Sequence, residues 1–286
     1  MSKCLFKRYK YLLVLALFCV TFILLIPKYN NTINDELKIH YINVGQGDGI
    51  LIQHNGSNIL IDGGPIDSSN MLIDYLTKNN VKKLDYIIAT HPHDDHIGSL
   101  PYVLNYIKVD NFLAPKITSN TPTFVNLTKK LKYNNLKITP ISAPKTVNLD
   151  ENLTLNFISP KEISYDNINN YSIVLKLNYH NFSFLFTGDA EKEIENFLTS
   201  SNIDLNSTVL KIGHHGSKTS STENFISKVN PKIAIISCGM GNDYGHPHKD
   251  VLKRLNNHNV KTYRTDKDGT VLVKCNKTNL KVLLEK

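Results

Sequence analysis

The stretch IIATHPHDDHIG, residues 87–98, decides how this chain reads. Three histidines and two aspartates fall within six positions, His91 to His96, directly after an apolar run. Such a run, β-branched and closed by polar residues, reads as a strand. The cluster therefore sits on a loop at a strand end, where a rigid scaffold tends to hold functional groups. Imidazole and carboxylate are borderline ligands suited to Zn²⁺, Mn²⁺ or Fe²⁺. On an extended loop His91 and His93 point at one ion, while Asp95 and His96 reach a second. A solvated loop accounts for one histidine, but poorly for HxHxDH at the end of an apolar strand.

Similar apolar runs recur along the chain: 37–44, 49–54, 58–62, 85–90, 153–158, 172–179, 182–188, 208–213, 232–237 and 270–274. Between them, 70–78, 123–133, 191–199, 222–228 and 249–257 have helical character. The alternation predicts an α/β or α+β sandwich of about 250 residues, sheets inside and helices outside. The simplest parse is one domain over 37–286, with a polar linker over 29–36.

Residues 11–26 (YLLVLALFCVTFILLI) carry no charge and follow Lys3, Lys7, Arg8 and Lys10. This pattern predicts a membrane-directed segment over 1–28 with the N-terminus in the cytoplasm and the rest extracellular. The run is shorter than the ~20 residues of a full span and longer than the ~7–15 of a signal-peptide core. An uncleaved transmembrane anchor is favoured, because Pro27 and Lys28 follow rather than a small-residue cleavage site; a cleaved, secreted form is the alternative. The first 28 residues also hold five of the 33 basic side chains and none of the 25 acidic ones, so the net charge of +8 falls to +3 for the remainder. A broad basic face for nucleic acid has weak support. Cys4, Cys19, Cys238 and Cys275 have no CxxC spacing and indicate neither a zinc knuckle nor a disulfide framework.

HPHDDHIG resembles the signature of the metallo-β-lactamase fold superfamily. In order with it stand VGQGDGILIQ (44–53), LIDGG (60–64), NNYSIVLKL (169–177), FLFTGDAEKE (184–193), LKIGHHGSKTS (210–220), AIISCGMGNDYGHPHKDVLKRL (234–255) and YRTDKDGTV (263–271). Together they are similar to the metallo-hydrolase domain at the C-terminus of ComEC-type DNA-uptake (competence) proteins and their stand-alone relatives. The resemblance implies an α+β, αβ/βα four-layer sandwich behind one N-terminal transmembrane helix. The many-helix channel of the full competence protein is not represented in the sequence, since 11–26 is its one long apolar run.

Residue by residue, the resemblance implies that Asp62 accepts the outer ring N–H of a ligand histidine, and that Asp189 bridges two ions. A plain Asp-Gly-Gly turn and a helix N-cap are the respective alternatives. His215 completes the second metal position and His214 touches the scissile group; adjacent side chains on an irregular loop could exchange these roles. Asp95, His214 and His246 become the catalytic candidates. Lys211, Ser217, Tyr244, His248 and Arg264 become substrate contacts, with a surface ion pair to Asp266 or Asp268 as the competing reading of Arg264.

One departure stands out. Many members supply a third histidine to the first metal position between HxHxDH and the bridging aspartate, and the one histidine in that interval is His180. It sits between two apolar runs as a hairpin tip. The first position is left with His91, His93, Asp189 and water or a weaker group such as Asn170. That predicts one tight ion and one loose one, and an oxygen-richer site that favours Mn²⁺ more than a full-histidine zinc site does.

A bridged metal pair brings bound water close to neutral pKa, so hydroxide can attack without a protein nucleophile. No GxSxG elbow or GxxxxGK[ST] loop is present. The expectation is a metal-dependent phosphodiesterase, a nuclease on DNA, at the outer membrane face and beside a DNA-uptake channel protein. A surface phosphodiester (phosphocholine-type) esterase, or a non-catalytic membrane-tethered DNA-binding module, are the alternatives.

Overall fold

A computed structural model describes residues 35–285 apart from Glu162, and the expected anchor lies outside those residues. Among the described residues no helix is long and apolar enough to cross a membrane. From Glu36 onward the chain forms one compact unit.

The chain first builds six strands of one sheet, β1 (Leu37–Tyr41), β2 (Ile50–His54), β3 (Ser57–Ile61), β4 (Lys83–Ile88), β5 (Lys108–Pro115) and β6 (Ile138–Ile141). It then lays down a second sheet, β7 (Lys145–Asn148), β8 (Leu153–Ser159), β9 (Val174–Tyr179), β10 (Phe182–Phe186), β11 (Val209–Lys211), β12 (Ile233–Ile236) and β13 (Lys261–Arg264). Finally β14 (Thr270–Cys275) and β15 (Leu280–Glu285) return to the first sheet beside β1. The helices are α1 (Ser69–Lys78), α2 (Asp94–Ile97), α3 (Leu100–Tyr106), α4 (Pro122–Tyr133), α5 (Lys192–Ser200), α6 (Glu223–Val229), α7 (Lys249–Asn257) and α8 (Thr265–Asp268).

The period-2 geometry of a strand sorts its side chains between two cores. In β1 and β2, Ile39, Tyr41, Ile50 and Ile52 face the second sheet, meeting Leu155, Phe157, Leu177, Phe184 and Phe186. Leu51 and Leu60 face the other way, against Leu72 and Leu76 of α1, Val103 of α3 and Leu127 of α4. On the far side Leu185, Leu210 and Ala234 pack against Ile194 of α5, Phe225 of α6 and Val251 of α7. Two sheets face to face, each covered by helices, make a four-layer sandwich with a mixed α/β character. Strands buried on both faces read as continuous apolar runs, which is why the central ones are conspicuous in the sequence.

β5, β6, β7, β13 and β15 were not expected. Four of them are short or polar strands at sheet edges, and β6 even holds Pro140, tolerated where one side of a strand has no ladder to complete. β5 lies inside its sheet, but Asp110 and Asn111 interrupt its apolar run and Pro115 closes it. What matters for function is direction. β3, β4 and β5 run parallel, as do β10, β11, β12 and β13. The loops leaving β3, β4, β10, β11 and β12 carry Asp62, the HPHDDH run, Asp189, the two adjacent histidines and the 238–248 segment. Open α/β sheets bind ligands at these carboxyl ends of their parallel strands.

Candidate metal centre

Five loops from both sheets converge on Asp189, which is 2% exposed at the end of β10. Its backbone N–H donates to Ser172 Oγ (3.0 Å), and its two carboxylate oxygens face different groups. Oδ1 lies 3.3 Å from His96 Nε2 and 3.6 Å from His215 Nε2, while Asp95 Oδ2 lies 3.2 Å from the same His215 nitrogen. Oδ2 lies 3.8 Å from His91 Nε2 and 3.7 Å from His214 Nε2. Two donor sets meet at Asp189, Asp95–His96–Asp189–His215 and His91–His93–Asp189, each with its ligand atoms within 4.8 Å of one another; a third such group, Asp48–Asp62–His96, does not include Asp189. The capping alternative for Asp189 fails: Glu191 occupies the N-cap of α5, without a side-chain cap bond.

The backing hydrogen bonds fix which ring nitrogens carry lone pairs. Thr90 donates its N–H to Asp62 Oδ1 (2.7 Å) and its hydroxyl to Asp62 Oδ2 (2.6 Å), and the same Oδ2 accepts from His96 Nδ1 (2.8 Å). Since the Thr90 hydroxyl proton goes to Asp62, its oxygen accepts from His91 Nδ1 (3.1 Å). His215 Nδ1 faces the Ser237 carbonyl at 2.9 Å, which can only accept. All three Nε2 atoms are thereby left as ligand lone pairs, the arrangement that orients metal-bound histidines. Of these, His96 Nε2 and His215 Nε2, together with Asp189 Oδ1, are buried with no hydrogen-bond partner. Buried polar atoms without partners, aimed at one point, fit a divalent cation.

Electrostatics agree. Burial opposes ionisation of Asp189, but the neighbouring His215 and His96 hold its carboxyl well below the usual carboxylate range, and the surrounding carboxylates in turn overcome burial and raise both imidazoles; the protons so drawn to the two Nε2 atoms stand where a cation would bind. Burial, reinforced by His96, pushes His91 well below the usual imidazole range, so it stays neutral and able to ligate.

Two loop devices make the crowding possible. Gly47 (φ 149°) lets the loop after β1 run so close to α2 that a Cβ there would meet the Asp95 carbonyl at 2.2 Å. His214 (φ 48°) and His215 (φ 53°) both take left-handed backbone, held by Ser217 N–H donating to His214 O (2.7 Å) and His214 N–H donating to Gly188 O (3.1 Å). Consecutive non-glycine residues in that region are costly, and such strain clusters at functional sites. The twist sends His215 inward, 1% exposed, and His214 to the mouth of an open cavity.

That cavity, about 370 Å³, is lined by Gln46, His93, Asp95, His214, Tyr244 and His246, among others. Tyr244 is 67% exposed and stacks on His246, ring centroids 5.5 Å apart. Burial, with His215 and His214 adjacent, lowers the His246 pKa to about 4, so it is a neutral ring at the cavity wall.

Several expected substrate contacts lie elsewhere. Lys211 is fully buried with its ammonium against Asp48, out of reach of any substrate in the cavity. Arg264 is held by both oxygens of Asp266 (2.9 and 2.6 Å) and does not line the cavity. Ser217 is buried, its Oγ accepting from Thr219 Oγ1 (3.0 Å), and His248 Nδ1 accepts from Lys218 N–H (3.1 Å); neither is in the lining. Asn170 is no metal ligand: its amide donates to Glu193 Oε2 (2.6 Å) and its carbonyl accepts from Glu191 N–H (3.1 Å). His180 sits in the β9–β10 turn against Tyr179, at the opposite end of β10 from Asp189.

Sequence reasoning passed over Asp48, although it lies in the quoted VGQGDGILIQ. It is 1% exposed, its Oδ1 3.6 Å from His215 Nδ1 and its Oδ2 3.9 Å from His96 Nδ1. It also missed Glu191, whose Oε1 lies 3.3 Å from His214 Nδ1 and accepts from Asn169 Nδ2 (3.0 Å). An acid two residues after a site aspartate was the available signal.

A family model described as "Metallo-beta-lactamase superfamily" matches residues 42–240. ComE operon protein 3 of Bacillus subtilis is 32% identical over 278 residues, 91% of this chain and 36% of that protein. Competence protein ComA of Neisseria gonorrhoeae is 27% identical over 239 residues, covering 83% of this chain and 32% of its own length. The chain thus spans about a third of the length of these relatives. Among solved structures, the metallo-β-lactamase fold protein YhfI of Bacillus subtilis superposes with a TM-score of 0.57 at 13% identity, over 84% of this chain and all of that one.

Proposed function

The chain belongs to the metallo-β-lactamase superfamily, and from that premise we propose that it is a metal-dependent phosphodiesterase that cleaves DNA. The observation that carries this reading is Asp189, one oxygen in each of two His/Asp donor sets that open onto a single cavity. Divalent ions held by these two sets would supply Lewis acidity and a lowered pKa for coordinated water.

The chain's own residues supply the rest. His96 and His215 present buried lone pairs fixed by Asp62 and the Ser237 carbonyl. His214, held by Glu191, stands at the cavity mouth, and His246 offers a neutral ring beside it. Tyr244, 67% exposed in the cavity wall and stacked on His246, offers an aromatic ring on which a nucleobase can stack. Similarity to a competence protein supports a nucleic-acid substrate over a small ester. The charge-free 11–26 run behind four basic residues supports a tethered form with this unit outside the membrane, where a separate uptake channel would hand it DNA.

The test is hydrolysis by the purified full chain with Mn²⁺ or Zn²⁺, on single- and double-stranded DNA beside bis-p-nitrophenyl phosphate. DNA cleavage that disappears in His93→Ala and Asp189→Ala is the expected result. Turnover of the small diester alone would redirect the reading to another surface phosphodiester, and silence with no bound metal to a binding module.

A further inference from the structure

Directly behind the site lies a charge pair that no step above uses. Lys211, the last residue of β11, is fully buried, and its ammonium grips Asp48 Oδ2. A buried ion pair is poor material for stability, because desolvation of both charges offsets their attraction, and well-packed apolar residues often serve as well or better. Its surroundings suggest a different use. Asp48 Oδ1 has no hydrogen-bond partner and lies 3.6 Å from His215 Nδ1, while Asp48 Oδ2 lies 3.9 Å from His96 Nδ1. The Lys211 ammonium also reaches the carbonyl of Gly188 (3.5 Å), the residue before Asp189, and the Lys211 carbonyl accepts from Thr187 Oγ1 (2.9 Å). One lysine thus ties the loop bearing Asp48, the turn bearing Asp189 and the strand leading to His215.

We propose that Asp48 and Lys211 are positioning residues for the second metal position: the pair holds the carboxylate behind His215 and His96, and so sets how tightly that position binds a divalent ion. Asp62 and the Ser237 carbonyl take the two Nδ1 protons, so Asp48 acts through its charge, which makes both rings more basic; loss of a partner behind ligand histidines typically costs ~10–100-fold in metal affinity. The inference rests on the two-position reading of the site. It also assigns Lys211 a task other than contact with substrate.

The experiment compares wild type, Asp48→Asn and the double variant Asp48→Asn/Lys211→Met in the full chain, by bound Mn²⁺ or Zn²⁺ after dialysis, chelator competition and thermal midpoint. Asp48→Asn should bind the tighter ion ~10–100-fold more weakly. The double variant, with no unpaired buried charge, should regain most of the wild-type thermal midpoint yet keep the weakened binding. Should Asp48→Asn fail to fold, the double variant decides alone. Recovery of both stability and affinity in the double variant would make the pair structural only and overturn the proposal, as would wild-type affinity in Asp48→Asn. A wild-type chain that binds no ion would instead bring down the two-position reading itself.

Discussion

The two oxygens of Asp189 look out on differently built halves of one site. On the Oδ1 side, His96 and His215 are 0% and 1% exposed, Asp95 adds a further donor, and Asp62, the Ser237 carbonyl and the Asp48–Lys211 pair stand behind. On the Oδ2 side there are His91, backed by Thr90, and the half-buried His93, whose Nδ1 lies 3.0 Å from His91 Nε2. No third histidine joins that set among the described residues: His180 is at the far end of β10, and His214 approaches Asp189 Oδ2 without entering the donor cluster. Four donors with fixed lone pairs favour tight, rigid coordination; three with a wet flank leave room for substrate and water. On the proposed reading, the difference would let one carboxylate serve a holding position and a working one.

Removing the bridge should abolish the distinction. Asp189→Asn is expected to lose ion binding on both sides and to lower activity by ~10³-fold or more, in line with the several kcal/mol that bound metal contributes; metal analysis beside the DNA-cleavage assay checks it. Asp62→Asn should act unequally, weakening the tighter ion by ~10–100-fold and the other less, because Asp62 holds His96 directly but His91 only through Thr90; chelator competition reads the difference. The smallest effect belongs outside both halves. Tyr244→Ala should leave both ions bound and raise the KM for DNA about fivefold, near the low end of the ~1–3 kcal/mol of a base–aromatic stack, with kcat little changed. A drop in kcat with no change in KM would place Tyr244 in the chemistry instead of at the rim.

How much of this was legible followed from where residues sit in the sandwich. The HPHDDH run, Asp62, Asp189 and His215 could be read because each closes a strand buried on both faces, and such strands declare themselves as apolar runs. The edge strands β6, β7, β13 and β15 bury one face at most and carry lysine, threonine and asparagine, so no pattern marked them. Lys211 was misread for a related reason. In a three-residue strand sandwiched between two layers, a lysine shortly before paired histidines looks like a substrate contact, and nothing local reveals that it points inward. Its partner Asp48 is 163 positions away on a loop that reaches the site only because Gly47 lets it pass against Asp95. Long-range pairs of this kind leave no periodic trace.

The most direct test of the asymmetry is a Mn²⁺ or Zn²⁺ titration of metal-stripped protein, run in parallel on wild type, His215→Ala and His93→Ala. Wild type should bind two ions whose affinities differ by ~10-fold or more, His215→Ala should lose the tighter and His93→Ala the weaker. Two ions of equal affinity, or a tighter ion that survives His215→Ala and vanishes in His93→Ala, would contradict the account.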